Sequence, residues 1–268
     1  MIGIIYNESD PASKNIAEYI ASTYGFTSSG TGFVSEKLEA VEIIKSEVNL
    51  LEAEFIDSLG FEAAYLLSGH VSSAGVGAFT SHPTGNWGSE AKLKGKPHEL
   101  SVAAPLRMLG ILQQLNARLA SAPGISLTYE ATHHGPLLKT PSLFAELGGN
   151  DDTTCNKALA AILGEAIVAS LQANTEYSKV VIGIGSNHYP SPFTKLALEK
   201  GYAFSHMFPK YAYYNDDDTN NVFMLEQAVS RSKPEPELAV LNWHSFNSME
   251  RQEIIKKLNE LGIDYERI

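Results

Sequence analysis

Residues 179–188 read KVVIGIGSNH, an aliphatic run that ends in glycine, serine and a histidine. A short apolar run bounded by turn residues is typical of a strand buried on both faces, and such strands occur in largely parallel sheets covered by helices. Residues 63–70 (AAYLLSGH) and 125–134 (ISLTYEATHH) repeat this arrangement. The three segments predict an α/β fold in which strands lead into loops that carry histidine.

Helical patterns alternate with the predicted strands. Helices are expected after Asp10-Pro11, from Pro105, over 153–173, over 192–200 and after Ser248 as N-cap. No internal repeat or linker interrupts this alternation. We therefore expect one α/β domain over residues 1–268, with a largely parallel sheet covered on both faces.

Four segments give weaker structural signals. We expect a loop over 27–35, a strand near 48–55 and an exposed acidic loop over 211–220. The fourth segment, 69–99, is rich in Gly, Ser and His and is predicted to be a functional loop region, because long loops in compact domains are usually functional or disordered. Its tryptophan, Trp87, argues against disorder.

The composition excludes several classes of protein. Cys155 is the single cysteine, so the chain forms no internal disulfide and no thiolate-rich zinc site, and a reducing cytoplasm suits it. Any metal must therefore be held by histidine and carboxylate. No apolar run approaches the roughly 18 residues that span a bilayer. The amino terminus has no basic leader, so we expect neither a signal peptide nor a membrane partner.

The net charge of −11 does not favour binding of a polyanion through the average surface. If nucleic acid is the substrate, the positive charge must be local. The one candidate region holds Lys92, Lys94 and Lys96, with Arg107 nearby in sequence. A run this short is also typical of an ordinary solvated loop.

Histidines follow several of the predicted strands. Ligands of open α/β sheets collect beyond the carboxyl ends of the strands, so these imidazoles are expected to converge. Neutral imidazole is both a metal ligand and a proton carrier near neutral pH. The alternative is that each histidine only caps a loop. The candidates are His70, His133, His134, His188 and, after a further strand, His206.

Glu130 lies within four residues of two of these histidines. Alternate residues of a strand share a face, so Glu130 and Thr132 point the same way, and His133 and His134 lie where the strand ends. A carboxylate there can orient a ligand imidazole or act as a general base toward water. The alternative is a carboxylate that only pairs with a buried cation.

Other catalytic patterns are absent from the sequence. It contains no Gly-X-Ser-X-Gly elbow and no His-Glu-X-X-His helix, and residues 183–185 lack the third glycine of a dinucleotide fingerprint. The residues by themselves therefore indicate a cytosolic α/β enzyme of hydrolase type with a histidine-rich site suited to zinc.

The histidine blocks resemble the archaeal and plant D-aminoacyl-tRNA deacylases, the second and zinc-associated family with that activity. The resemblance extends over essentially the whole chain, and EATHHGP is its most specific block. The matching blocks are SGH (68–70), SSAG (72–75), HPTGNWG (82–88), EATHHGP (130–136), GIG (183–185), HY (188–189) and HM (206–207).

The resemblance implies a three-layer α/β/α sandwich similar to peptidyl-tRNA hydrolases and nucleoside phosphorylases. It implies hydrolysis of the ester between a D-amino acid and the terminal ribose of tRNA, with Zn²⁺ as cofactor. The implied catalytic residues are Glu130, His133, His70 and His188. Metal ligands would come from His70, His133, His134, His188 and His206. Substrate contacts would come from His82, Asn86, Trp87 and Tyr189, with Trp87 or Tyr189 stacking on the terminal adenine. On local charge alone, Lys92, Lys94, Lys96 and Arg107 are candidates for contacts with acceptor-stem phosphates.

Two other functions stay open at this point. A zinc-dependent amidohydrolase or peptidase acting on a small molecule would explain the histidines and the acidic surface without RNA. A non-enzymatic module that binds the end of tRNA would use the histidines only to shape a pocket. The sequence also leaves open whether zinc is catalytic or structural. The expected partner is the charged 3′ end of tRNA and not DNA, and the chain is expected to be a monomer or homodimer.

Overall fold

The computed structural model describes residues 1–29, 32–71, 75–215 and 219–268. Ser72, Ser73 and Ala74 of the SSAG block and the acidic residues Asp216–Asp218 lie outside this part. The strands, numbered along the chain, are β1 (Ile2–Asn7), β2 (Thr27–Ser29), β3 (Gly32–Val34), β4 (Val41–Ser46), β5 (Ala63–Val71), β6 (Ala78–His82), β7 (Gly85–Asn86), β8 (Glu99–Leu100), β9 (Ser126–Tyr129), β10 (Ser142–Gly149), β11 (Lys179–Ile184), β12 (Tyr202–Phe208), β13 (Leu238–Leu241) and β14 (Asp264–Arg267).

The strands form two main sheets. The large sheet has the order β2-β3-β4-β1-β5-β10-β6-β9, and the small sheet has the order β12-β11-β13-β14. All pairs of the small sheet are parallel, whereas β6 is antiparallel to β10 and the β2–β3–β4 edge is antiparallel. The predicted α/β class with a largely parallel, mixed sheet is confirmed. The described strands divide between these two sheets and a separate two-stranded pair of β7 and β8.

The helices cover the sheets unequally. One face of the large sheet packs under α1, α2 and α4, and α5 and α7 pack on opposite faces of the small sheet. None of the helices in the described ranges is long and apolar enough to cross a membrane. The helices are α1 (Pro11–Thr23), α2 (Pro105–Asn116), α3 (Asp151–Thr154), α4 (Lys157–Gln172), α5 (Ser191–Lys200), α6 (Leu225–Ser230) and α7 (Ser248–Leu261).

The second face of the large sheet changes character along its strands. Near the amino ends of β5 and β10 it is apolar, and Leu66 and Phe144 pack against short 3₁₀ turns. Farther along the same face, β10 carries Glu146 and β5 carries His70. No α-helix covers this polar part in the described residues, so loops from both sheets enclose it.

Three of the weaker predictions are wrong in part. The strand expected near 48–55 is instead two 3₁₀ turns, Leu50–Glu52 and Glu54–Ser58, because the Asn49 side chain accepts the Leu51 amide and starts a turn. The expected loop at 27–35 contains β2 and β3, which pair antiparallel at the sheet edge.

The region 69–99 is also not loop throughout. Strand β6 lies within it, between β10 and β9, and four of its five residues are buried. Its composition looked unsuited to a core because Ser81 and His82 are polar. Both side chains find hydrogen-bond partners inside the protein. The Ser81 hydroxyl donates to Phe144 O at 2.8 Å, and His82 Nδ1 lies 3.1 Å from Pro83 O.

The predicted helix starts hold with two main shifts. The helix expected over 153–173 is divided into α3 and α4, and the longer of the two begins at Lys157. Asp10 caps α1 as expected, its Oδ1 accepting the amides of Ala12 and Ser13. For α7 the N-cap is Asn247 and not Ser248. Asn247 forms a reciprocal capping box with Glu250.

This shift gives a stability prediction. Asn247→Ala should lower the free energy of unfolding by about 1 kcal/mol, because two amides of the first turn of α7 lose their acceptor. Ser248→Ala is the matched control, since its exposed side chain is not the cap. Urea unfolding of both variants measures the difference, and an equal loss in the two would contradict this assignment.

Candidate active site

The segment 130–134 is held between the two sheets by backbone hydrogen bonds. Its first three amides donate in turn to the carbonyl oxygens of Ser81, His188 and Met207, at 3.1, 2.8 and 3.1 Å. Ser81 belongs to the large sheet, Met207 belongs to the small sheet, and His188 follows β11. The segment therefore brings one carboxylate and two imidazoles into the junction of the sheets.

Strand register adds three more side chains from the large sheet. On β10, Phe144 and Gly148 lie two residues before and two residues after Glu146. Phe144 pairs with His82 of β6, and Gly148 pairs with His70 of β5. Residues two apart share a face of a strand. His70, Glu146 and His82 therefore lie on the same face, beneath the segment 130–134.

Glu130 is the buried centre of the cluster. Its side chain is fully buried, and its Oε2 lies 3.1 Å from His188 Nε2 and 3.5 Å from His133 Nε2. Burial by itself raises the pKa of a carboxyl group. Here the hydrogen bond from His188 and the nearby His82 and His70 outweigh burial and lower the pKa of Glu130 to about 2. Glu130 is thus an anion at neutral pH.

Three histidines have the same tautomer for the same reason. Their Nδ1 atoms lie close to backbone carbonyl oxygens, at 3.1 Å for His82, 2.8 Å for His133 and 2.6 Å for His134. A carbonyl oxygen only accepts, so each Nδ1 carries a proton and the Nε2 of each neutral ring keeps its lone pair. One ligand nitrogen from each ring lies within 4.8 Å of the others.

The protonation of these rings depends on their surroundings. Burial lowers the pKa of His133 well below its usual value and the pKa of His134 to about 3, so both rings are neutral at pH 7. Burial acts in the same direction on His82. For His82, however, the neighbouring Glu146 outweighs burial and raises the pKa of the imidazole, since Glu146 Oε1 lies 3.7 Å from His82 Nε2.

The chemistry of this donor set fits a bound cation. The lone pair of neutral His133 Nε2 faces the ionised Glu130 carboxylate, which is repulsive unless positive charge lies between them. The buried Nε2 of His82 and the buried Oε1 of Glu130 have no hydrogen-bond partner in the described part of the chain. Imidazole nitrogen and carboxylate oxygen are ligands of divalent metals such as zinc. His70, Glu130 and His188 form a second group with ligand atoms within 4.8 Å.

Two tyrosines contact the outer histidines. Because His188 Nε2 donates to Glu130, its Nδ1 is left to accept from the Tyr211 hydroxyl at 3.2 Å. The Tyr189 hydroxyl lies 3.0 Å from His70 Nε2. Both tyrosine side chains are exposed, so the cluster is accessible from this side.

Three clefts meet at the cluster. A cleft of 620 Å³ shares His70 with the central one, and a cleft of 420 Å³ shares His133 and His134 with it. The central cleft has a volume of 480 Å³, and its polar lining includes Asp10, His70, His133, His134, Glu146 and His188. Glu130 lies below this lining and does not form part of it.

Two predicted substrate contacts, Trp87 and Asn86, have structural roles in the described part of the chain. Trp87 is buried, its Nε1 donates to Thr132 O at 2.9 Å and its ring packs on Phe208, so it has no face free for a base. The Asn86 side chain donates to Lys94 O at 2.9 Å and so stabilises its own loop. Asn86 also lines the 420 Å³ cleft, so its contact with substrate stays a prediction. Tyr189 stays accessible.

Two histidines also differ from prediction. His206 lies outside the cluster: its Nε2 is 3.0 Å from the carbonyl oxygens of Ser101 and Arg231, and its Nδ1 is 3.2 Å from Thr132 Oγ1. With both nitrogens occupied, it is not a metal ligand. His82, expected to touch substrate, is fully buried under the cluster. A buried ring does not contact substrate directly.

The predicted basic region carries less net positive charge than its lysines and arginine suggest, because acidic side chains lie beside them. Lys92 and Lys94 each form an ion pair with a glutamate, at 2.5 and 2.7 Å. Arg107 pairs with Glu62 at 3.2 Å. Glu62 precedes β5, and at about 3.3 Å per residue that end of the strand is roughly 25 Å from His70. Arg107 is therefore remote from the cluster, and its contact with the acceptor stem of tRNA stays a prediction.

The sequence reasoning missed three residues of the site. Glu146 is the only charged residue of β10, whose eight residues are all buried, and a lone carboxylate in such a strand is the signal that could have identified it. Asp10 was read only as a helix cap, yet its Oδ2 also accepts the Gly69 amide at 2.7 Å beside His70. Tyr211 lies in a short 3₁₀ turn, Lys210–Ala212, for which the sequence shows no recognisable pattern.

The fold and the cluster together define an α/β enzyme built around an imidazole and carboxylate centre. The chain belongs to the D-aminoacyl-tRNA deacylase family, because the sequence model of that family matches residues 58–266. D-aminoacyl-tRNA deacylases of Ignicoccus hospitalis and Pyrococcus furiosus are 35% and 32% identical to it, and each alignment covers 98% of both chains. A crystal structure described as a conserved protein of unknown function superposes with a TM-score of 0.90 at 27% identity, covering 100% of this chain and 95% of that one.

The buried His206 gives a pH prediction for stability. Burial lowers its pKa from 6.5 to about 4. Between those values the unfolded chain binds a proton there and the folded protein does not, so stability falls as pH falls, by on the order of 3 kcal/mol in total. Urea unfolding at pH 7, 6, 5 and 4 measures this slope.

His206→Gln should be less stable than wild type at pH 7 and show a shallower decline toward pH 4. The exposed His244 provides the matched control, and His244→Gln should keep the wild-type slope. If both variants decline as steeply as wild type, His206 is not the source of the effect.

Proposed function

We propose that the protein hydrolyses the ester bond of D-aminoacyl-tRNA and releases free D-amino acid and tRNA. The two relatives named above align with nearly the full length of the chain, and both are named for this activity. The observation that carries the proposal is the hydrogen bond between the buried Glu130 and His188, which lines the central cleft. The amidohydrolase or peptidase alternative is not favoured, since the matching family and relatives are named as D-aminoacyl-tRNA deacylases.

In this proposal His188 accepts the proton of the attacking water. Glu130 holds the ring by its Nε2 proton and stabilises the imidazolium that forms. The water oxygen bonds to the ester carbonyl carbon, the bond from that carbon to the ribose oxygen breaks, and the ribose oxygen takes the proton back. Glu130 is a positioning residue here, because it does not line the cleft. The proton goes to His188 Nδ1, whose electron pair accepts from the Tyr211 hydroxyl in this structure.

We assign zinc to the same centre. The group that would hold it is His82, His133 and His134, whose tautomers leave Nε2 available. When bound, zinc acts as a Lewis acid that polarises a carbonyl or lowers the pKa of a bound water. His70 at the mouth of the cleft then serves to position substrate together with Tyr189.

The charged 3′ end of tRNA is the proposed partner. Lys92, which pairs with a glutamate, lines the 420 Å³ cleft, and Lys94 and Lys96 follow it in the same loop. All three are candidates for contacts with backbone phosphates. Tyr189 remains a candidate for stacking on the terminal adenine. A cytoplasmic location, a monomer or homodimer, and no role for DNA complete the proposal.

The deacylase assay tests the function directly. Wild-type protein should release D-tyrosine from D-Tyr-tRNA and leave L-Tyr-tRNA intact. His188→Gln and Glu130→Gln should each lower kcat by about 10²-fold or more, since general acid–base catalysis contributes that much. His244→Gln is the control and should match wild type. Failure of folded, zinc-replete wild type to release D-tyrosine would refute the function.

Metal content tests the zinc assignment without reference to activity. Protein purified without added metal should contain zinc by mass spectrometry, and His134→Gln should lose most of it, because one of three ligands is gone. His244→Gln should retain it. If His188→Gln loses zinc while His134→Gln does not, the second group of ligands holds the ion and the assignment is wrong.

A further inference from the structure

We propose that a basic and aromatic patch at the edge of the small sheet, formed by Trp243, Arg251 and Arg267, docks the sugar–phosphate backbone of the tRNA acceptor arm. This inference rests on the proposed deacylase function and assigns a surface to its partner. The chain carries a net charge of −11, so a polyanion needs a local site of positive charge. Backbone contacts fix the position of a nucleic acid on a protein, and here they would fix the position of the charged 3′ end.

The two arginines of this patch differ from the other arginines of the chain. Three of the five arginines in the sequence each pair with a glutamate. Arg251 and Arg267 form no such pair within the described ranges. Their hydrogen bonds go to neutral acceptors: Arg251 Nε donates to Asn247 O at 3.1 Å, and Arg267 Nη2 donates to the Tyr265 hydroxyl at 3.2 Å. Among the described residues, the charge of neither guanidinium group is neutralised by an ion pair.

The ring of Trp243 orders both guanidinium groups. Its centroid lies 4.5 Å from Arg251 Cζ and 3.9 Å from Arg267 Cζ. A guanidinium group stacked on an aromatic ring keeps N–H groups at its edge, where they can form two parallel hydrogen bonds with a phosphate. Stacking also restricts the rotamers before binding, so less entropy is lost when a phosphate is bound. Two like charges that share one ring repel each other, and an anion bound between them relieves this repulsion.

Strand register places the patch at the edge of the sheet that leads to His188. Arg267 of β14 pairs with Leu241 of β13, and Leu241 pairs with Ile184, the last residue of β11. Neighbouring strands are about 4.8 Å apart, so the backbone of Arg267 lies roughly 10 Å from the end of β11. His188 follows in the loop after that strand. The patch therefore lies at the same carboxyl edge as the proposed catalytic imidazole.

The loop that carries Trp243 also contacts the loop that carries His188. The Ser245 hydroxyl accepts the Ser186 amide at 2.8 Å. Beside this bond the two loops are too close for an added side chain, since a Cβ on Gly185 would lie 2.9 Å from Ser245 Cβ. The two loops therefore form one packed surface. A phosphate held at the patch would set the position of an esterified ribose that lies a few nucleotides farther along the RNA.

Removing the charges tests the proposal. Arg251→Gln, Arg267→Gln and the double variant keep polar side chains but lose the guanidinium groups. Binding of deacylated tRNA is measured by fluorescence anisotropy at about 50 to 200 mM salt. Each single variant should lower the slope of log Kd against log salt by about 1 and the double variant by about 2, since each lost phosphate contact releases about one counterion fewer.

Deacylation kinetics give a second measurement. With D-Tyr-tRNA, the double variant should raise KM by about tenfold and keep kcat within about twofold of wild type, because the patch binds RNA and does not touch the ester. Trp243→Leu keeps both charges and loses the stacking surface. Its salt slope should equal that of wild type, while its affinity for tRNA falls by about two- to tenfold, since unordered arginines lose rotamer freedom on binding.

A double lysine variant, Lys37→Gln with Lys179→Gln, is the matched control. Both lysines are exposed and without an ion pair in the described part of the chain. The change removes the same charge as the double arginine variant. Lys179 begins β11, at the opposite end of the strand that leads to His188, so it lies far from the patch. The salt slope and the KM of this control should match those of wild type.

The outcomes separate the surface from the function. A shallower salt slope and a higher KM in the arginine variants, with the lysine variant unchanged, support the patch. Equal changes in the arginine and lysine variants, or none in either, overturn it in proteins with wild-type thermal unfolding, while the deacylase function stands. If wild type releases no D-tyrosine, the function fails, and a wild-type salt slope in the arginine variants would then overturn the patch independently.

Discussion

The buried carboxylate of Glu130 is the constraint on which the site depends. An ionised carboxyl group without exposure to water is strongly unfavourable unless partners replace its hydration. His188 supplies the hydrogen bond, and His133 approaches the same oxygen. Since His188 follows a strand of the small sheet and Glu130 is hydrogen-bonded to the large sheet, this interaction also joins the two halves of the fold.

The polar cluster exists because the large sheet is covered differently on its two faces. Helices α1, α2 and α4 bury one face with aliphatic residues, and the other face is apolar only near the amino ends of its central strands. Where that apolar packing stops, Glu146, His70 and His82 project from adjacent strands. Loops from both sheets enclose this part and leave clefts on either side of it.

Backbone geometry determines the chemistry of the histidines. His82, His133 and His134 each direct Nδ1 to a main-chain carbonyl oxygen within two residues of their own position. The local turns thereby select the tautomer that leaves Nε2 free to bind a ligand, which is a familiar way of orienting metal-binding imidazole. The blocks HP at 82–83 and HHGP at 133–136 are thus needed for their turns as well as their side chains.

The sequence by itself determined the class of fold, most helices and strands, and the convergence of His70, His133, His134 and His188 with Glu130. Those features depend on local periodicity, turn residues and the direction of strands. Only the tertiary structure decided that Trp87 and His206 are buried, that Arg107 is remote, and that Glu146 and Tyr211 belong to the site. These outcomes depend on which residues of distant segments meet across strand register and sheet packing, and local sequence does not encode such long-range neighbours.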